Sequence, residues 1–245
     1  REPCTNNLAE YFYHQGYRVV VANARGCSGA KYTSKRPYSA VDISDVQELV
    51  DRVHSLFTPK YVCLVGFSLG AFTAIQFAIT GSGVDSIALV SHVYNPTGSN
   101  QILEKPFNKQ VYMKVMLKKN KHLLKKDTFI DLPEALEAKT LHEFDVLYAR
   151  LIGYNDCEEY YADLDIKGKL EEVNVPTLIL GTEDDPFTSV KYVPFEEIER
   201  SRYTVFVSFK EGGHVSMLTG MKAEKSYAEP LLFEWFQAVR QNLGK

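Results

Sequence analysis

The chain has 245 residues, 45% hydrophobic and 24% charged, with a formal net charge of −3. That length can bury roughly 70–75% of the unfolded surface in one core plus an insertion, and the mild negative charge makes no case for a nucleic-acid partner. Cys4, Cys27, Cys63 and Cys157 are scattered without a C-x-x-C spacing, no apolar run approaches a membrane span of ~20 residues, and no signal peptide is visible, so no metal or cofactor is expected and an intracellular, reducing location is.

A helical pattern at Leu8–Gln15 leads through Gly16 into a strand-like run, Tyr17–Asn23. The glycine-punctuated loop Arg25–Gly29 follows. Tyr38–Phe57 then reads as an amphipathic helix with Val41, Val46, Val50 and Val53 on one stripe. The apolar run Tyr61–Val65 predicts a strand, and Leu69–Ala78 predicts a helix. Between them stands Gly66-Phe67-Ser68-Leu69-Gly70. Ser68 falls at the junction, where a sharp strand-to-helix turn would present its hydroxyl as a nucleophile. Gly66 and Gly70 are expected there because a Cβ would clash in so tight a bend. The backbone N–H of Leu69, at the start of the helix, is the expected oxyanion donor. A break at Gly81-Ser82-Gly83 precedes the strand Ile87–Val90. This alternation predicts a parallel, right-handedly connected sheet.

The rhythm stops at about Tyr94 and resumes at Val175. Residues 94–170 therefore read as a helical cap inserted into a core formed by residues 1–93 and 171–245. From Lys105 to Lys126 the cap carries eight lysines and no acid, interleaved with apolar residues. Such a helix suits an anionic membrane surface. A solvated helix whose apolar stripe packs on the core is the preferred reading, because any cap helix needs amphipathicity.

Val175–Thr182 is a buried-strand run that ends in Glu183-Asp184-Asp185-Pro186. Tyr203–Val207 is another, followed by Gly212-Gly213-His214. Alone, each tail reads as turn or loop punctuation. Together with Ser68 they give the chain order Ser, Asp, His, each just past a strand, which is the order of an α/β-hydrolase triad. The expected roles are Ser68 as nucleophile, His214 as base and Asp185 as acid. Asp184 is the competing acid; Asp185 is preferred because proline follows it.

Several segments resemble one group of α/β hydrolases. They are Asn23–Gly29, Gly66–Gly70, His142–Asp145, Gly153-Tyr154 with Glu158–Tyr161, Asp184–Phe187 and Gly212–His214. The group contains membrane-anchored phospholipases and monoacylglycerol lipases, medium-chain ester synthases, bacterial esterases and embryogenesis-associated proteins. The resemblance implies an α/β fold with a mostly parallel sheet flanked by helices. It also implies a serine esterase or lipase acting on acyl-glycerols or phospholipids through Ser68, Asp185 and His214. The alternatives are an acyltransferase making esters, and a catalytically silent subunit on the same fold. Some relatives carry an N-terminal membrane helix. Together with the absence of an initiator Met, this leads to the expectation that the early strands, the second oxyanion donor and any membrane helix lie upstream of Arg1.

Overall fold

Ile87, Leu89 and Ile179 point to one side of a sheet, and Ala88, Val90, Leu178 and Leu180 to the other. This period of two is what an extended backbone imposes, and both faces are apolar because both are covered by helices. The computed structural model describes residues 3–30, 32–125, 130–219 and 225–244. Its main sheet comprises β1 (Cys63–Phe67), β2 (Ser86–Val90), β3 (Thr177–Thr182) and β4 (Thr204–Phe209). The order is β1-β2-β3-β4 and every pairing is parallel. A short antiparallel ribbon joins β5 (Leu218–Thr219) to β6 (Lys225–Ser226).

One face of the sheet is covered by α2 (Ser44–Phe57) and α3 (Leu69–Thr80), which contribute Val50, Ala71, Ala74, Ile75 and Phe77. The other is covered by α1 (Pro3–His14) and α11 (Ala228–Asn242), through Phe12, Leu232 and Phe236. Fully burying an aliphatic or aromatic side chain of this size contributes roughly 1.5–3 kcal/mol, so these two layers dominate the stability of the core.

Among the described residues, no strand lies between β2 and β3. That stretch holds α4 (Pro96–Leu103), α5 (Pro106–Asn108), α6 (Lys114–Lys125), α7 (Pro133–Glu137), α8 (Leu141–Leu151) and α9 (Cys157–Leu164). A π-helical turn, Lys109–Met113, joins α5 to α6. Leu117, Leu124, Ala135, Ala138 and Phe144 form a cluster of their own in this segment. Tyr160, Tyr161, Leu164 and Ala149 pack on Phe72 and Val93, tying it to the sheet layer. Lys126, the end of the basic segment, lies outside the described residues. A further helix, α10 (Phe195–Arg200), lies between β3 and β4.

Two expectations are corrected. Tyr17–Asn23 is not a strand: it makes no ladder with any described strand, and Val19 and Val20 stay exposed. Its composition suits a sheet, but a strand exists only where a neighbour pairs with it. The helix expected from Tyr38 begins only at Ser44. The preceding residues are instead tied to α3: Tyr38 Oη lies 2.9 Å from Thr73 Oγ1, which donates to the Ala40 carbonyl at 3.0 Å. Among the described residues, no helix is long and apolar enough to cross a membrane.

Candidate active site

Ser68 is the hinge between β1 and α3. Its backbone sits at φ 49°, ψ −112°, a strained conformation for a residue with a Cβ. The Ser68 N–H donates to the Val90 carbonyl at 2.9 Å, which ties the turn to β2. A Cβ on Gly66 would come within 2.4 Å of the Gly70 carbonyl oxygen and 2.7 Å of Ala74 Cβ, so only glycine fits there. A Cβ on Gly70 would meet nothing within 4 Å, so the clash expected at that position is absent. Because α3 starts at Leu69, its N–H is one of the first-turn donors that the helix leaves unpaired.

The loop after β4 brings His214 back over Ser68. Its Nε2 lies 2.7 Å from Ser68 Oγ, and its Nδ1 lies 2.8 Å from Asp185 Oδ2. A carboxylate can only accept at that position, so Nδ1 carries the proton and Nε2 is left to accept from the serine hydroxyl. The Asp185 side chain is 1% exposed, and its Oδ1 accepts the Phe187 N–H at 2.8 Å. This fixes the rotamer of the acid from its own turn.

Asp184 does something different. It accepts the N–H of Gly213 at 2.8 Å and of Gly212 at 3.2 Å. Burial alone would raise its carboxyl; the N–H groups of Gly213 and Gly212 outweigh that and hold it below the usual carboxylate range. Asp185 therefore contacts the imidazole, while Asp184 holds the loop that carries it.

Three further groups fasten the histidine loop, and sequence reasoning gave none of them a role. Ser91, at φ 53° past the end of β2, accepts the Val215 N–H at 3.0 Å. Thr182, the last residue of β3, donates to the Gly213 carbonyl at 2.8 Å. The Phe187 ring lies 4.3 Å from the His214 ring, centroid to centroid. Phe187 is also 5.4 Å from the Tyr112 ring of the basic helical segment. Gly212 is needed here as well: at φ 149°, a Cβ would meet Tyr227 Oη at 2.3 Å. Among the described residues, no group of three or more His, Cys, Asp or Glu side chains could hold a metal ion.

A serine on a strained strand-to-helix turn, with a histidine and an aspartate at the C-terminal edge of a parallel sheet, is the arrangement of the α/β hydrolases. The model of the alpha/beta hydrolase family matches residues 5–224, and the chain belongs to that family. It is 26% identical over 236 residues to human (Homo sapiens) phospholipase ABHD3, covering 91% of this chain and 57% of that protein. It is 25% identical over 243 residues to a monoacylglycerol lipase of Saccharomyces cerevisiae, covering 88% of this chain and 51% of that protein. The Escherichia coli putative esterase YheT is 28% identical over 228 residues, which cover 89% of this chain and 67% of the esterase. The chain thus spans a little over half the length of the phospholipase and about half that of the lipase. Among solved structures, the Pyrococcus furiosus esterase Pf2001 superimposes with a TM-score of 0.61 at 18% identity, covering 95% of this chain and 75% of the esterase. MenH from S. aureus does so with a TM-score of 0.57 at 16% identity, covering 97% of this chain and 89% of that one. At that identity the likeness shows the fold alone.

Proposed function

We propose that this chain carries the catalytic core of a serine hydrolase that cleaves carboxylic esters of lipids, acyl-glycerols or phospholipids. The observation that carries the reading is the continuous contact Ser68–His214–Asp185 at 2.7 and 2.8 Å. Ser68 Oγ attacks the ester carbonyl while His214 Nε2 takes its proton. Asp185 holds the imidazole tautomer and stabilises the imidazolium. The Leu69 N–H donates to the oxyanion. His214 then protonates the leaving alcohol, and water brought in through the same base releases the acyl group. Relatives named phospholipase, monoacylglycerol lipase and esterase support this class of substrate.

A surface feature supports a lipid, as opposed to a soluble, ester. Phe107, Val111 and Val115 recur every fourth residue along α5, the π-turn and α6, and they are 67%, 42% and 59% exposed. Met113, Leu117 and Leu124 of the same stretch are buried, so packing has already been satisfied on another face. Lys114, Lys118 and Lys121, with Leu117 and His122, line an open groove of about 350 Å³ on α6. An apolar row edged by lysines suits the surface of an anionic bilayer.

Two experiments test the reading. The full-length protein should label with a fluorophosphonate, and Ser68→Ala should abolish both labelling and ester hydrolysis. Unchanged labelling in that variant would put the nucleophile elsewhere. Binding to anionic vesicles should weaken as salt rises and in the variant with Lys114, Lys118 and Lys121 all changed to Gln, with each lysine worth about 1 kcal/mol near the surface. Binding indifferent to both would remove the membrane from the reading and leave the esterase.

A further inference from the structure

Behind the acid lies a group of polar atoms that the mechanism above does not use. Past the end of β2 the chain runs Ser91-His92-Val93-Tyr94 into the interior, and His92 has no exposed surface. Its ring lies edge-on to Phe72 at 4.9 Å and to Tyr94 at 5.5 Å. Burial there pushes its pKa down to about 3, so the ring is neutral at physiological pH. A neutral imidazole has one donor and one acceptor, and both need a partner. Neither Nδ1 nor Nε2 has one among the described residues. The same holds for Tyr94 Oη, Thr188 Oγ1 and Ser208 Oγ.

These five atoms are not scattered. His92, Tyr94, Thr188 and Ser208 all line a single internal cavity of about 10 Å³, and Asp185 and Thr182 line it too. The four side chains come from three separate stretches: the exit of β2, the turn after the acid, and β4. A buried donor or acceptor left unpaired costs more than a made hydrogen bond returns, so a cavity lined by four such side chains calls for an occupant, and one water can pair with up to four groups around it. The occupant must both donate and accept, because the atoms around it include hydroxyls, an imidazole and a carboxylate. The carboxylate disfavours an anion. The volume is about that of one water and excludes anything larger.

We infer that this cavity is a built site for one water molecule, which donates a further hydrogen bond to Asp185 and makes His92, Tyr94, Thr188 and Ser208 positioning residues for the acid. The inference rests on the triad reading above. Asp185 is otherwise held by its own turn and by His214 alone. A water hydrogen-bonded to the carboxylate adds a restraint to the orientation that His214 needs.

A high-resolution crystal structure of the full-length protein should show one ordered water in the cavity, within hydrogen-bond distance of Asp185 and of at least two of the four side chains. A dry cavity overturns the inference. Tyr94→Phe removes one polar atom and keeps the ring. It should lower kcat on a soluble short-chain ester about three- to tenfold at unchanged KM, the cost of a mispositioned group, and shift the downfield proton resonance of the His214–Asp185 hydrogen bond. An unmoved resonance together with an unmoved kcat also overturns it. His92→Gln keeps a donor and an acceptor and should retain more activity than His92→Leu. If both His92 variants fail to fold, Tyr94→Phe still decides. Fluorophosphonate labelling separates the two levels: loss of the triad reading shows as an unlabelled Ser68 in the native protein, whereas failure of the water site alone leaves labelling intact.

Discussion

Asp184 and Asp185 are adjacent carboxylates with separate tasks. One sits beneath the imidazole with 1% of its side chain exposed; the other caps the backbone of the loop that carries the imidazole. Asp185→Asn keeps the shape but offers an amide where Nδ1–H needs an acceptor, so kcat should fall about 10⁴-fold on an ester substrate. Asp184→Asn keeps one acceptor for the loop and should stay within about tenfold of the native rate. Steady-state kinetics on the two variants check this, and the reverse ranking would exchange their roles. At this scale the sequence was informative where chemistry is local. Ser68 was legible from its glycine neighbours, and the preference for Asp185 rested on the proline after it. Phe187, Ser91 and His92 were not legible in their roles. An aromatic, a serine and a histidine past strand ends carry no signal until the strands are aligned side by side.

Helix α8 contains Asp145, whose carboxylate accepts the Tyr161 hydroxyl of α9 at 2.7 Å, while Asn100 of α4 donates to that hydroxyl at 2.5 Å. Burial raises the Asp145 pKa to about 7, against the partial relief given by Tyr161. The folded form therefore binds the proton more tightly than the unfolded chain, whose carboxyl titrates near 4. The stability this proton confers is fully present below pH ~4 and is lost as pH rises through about 7, with a ceiling of about 4 kcal/mol that the residue's partly exposed edge lowers. Asp145→Asn should flatten that slope. Urea midpoints at pH 5 and pH 8 should differ more for the native protein than for the variant, and equal slopes would count against the assignment. The elements themselves were legible in proportion to how locally they are determined. β2, β3 and β4 match apolar runs to within two residues at each end. β1 extends two residues past the expected Val65, because the ladder with β2 continues up to the nucleophile turn. Tyr17–Asn23 failed because pairing is a property of two segments, and Tyr38–Ile43 failed because Thr73 of α3 captures that backbone. Asp145 lay in a quoted motif, but its burial depends on α9 and α4 closing over it.

Across the whole molecule, the order Ser, Asp, His could be read because a parallel sheet brings the C-terminal ends of all its strands to one edge. Once β1, β3 and β4 were placed, the three side chains had to face a common space. The basic helical segment was legible as amphipathic but not as to which apolar residues would be spent on packing. Only the folded chain separates Met113, Leu117 and Leu124 from the exposed Phe107, Val111 and Val115.

Phe187 belongs to both halves of that picture. Its backbone N–H steadies the acid, and its ring lies against both the base and Tyr112, the chain neighbour of the exposed Val111. Its ring contacts connect the helical segment at the outer surface with the imidazole. If the basic helical segment docks on lipid, as proposed above, a shift of Tyr112 would reach His214 through Phe187. The enzyme should therefore run faster on esters presented in anionic vesicles than on the same esters dispersed as monomers. Phe187→Ala, which keeps the backbone donor but deletes the ring, should abolish that acceleration while lowering the monomeric rate only modestly. Comparing the two rates with and without vesicles measures it; an acceleration that survives the substitution would mean that surface and base are not joined through this ring.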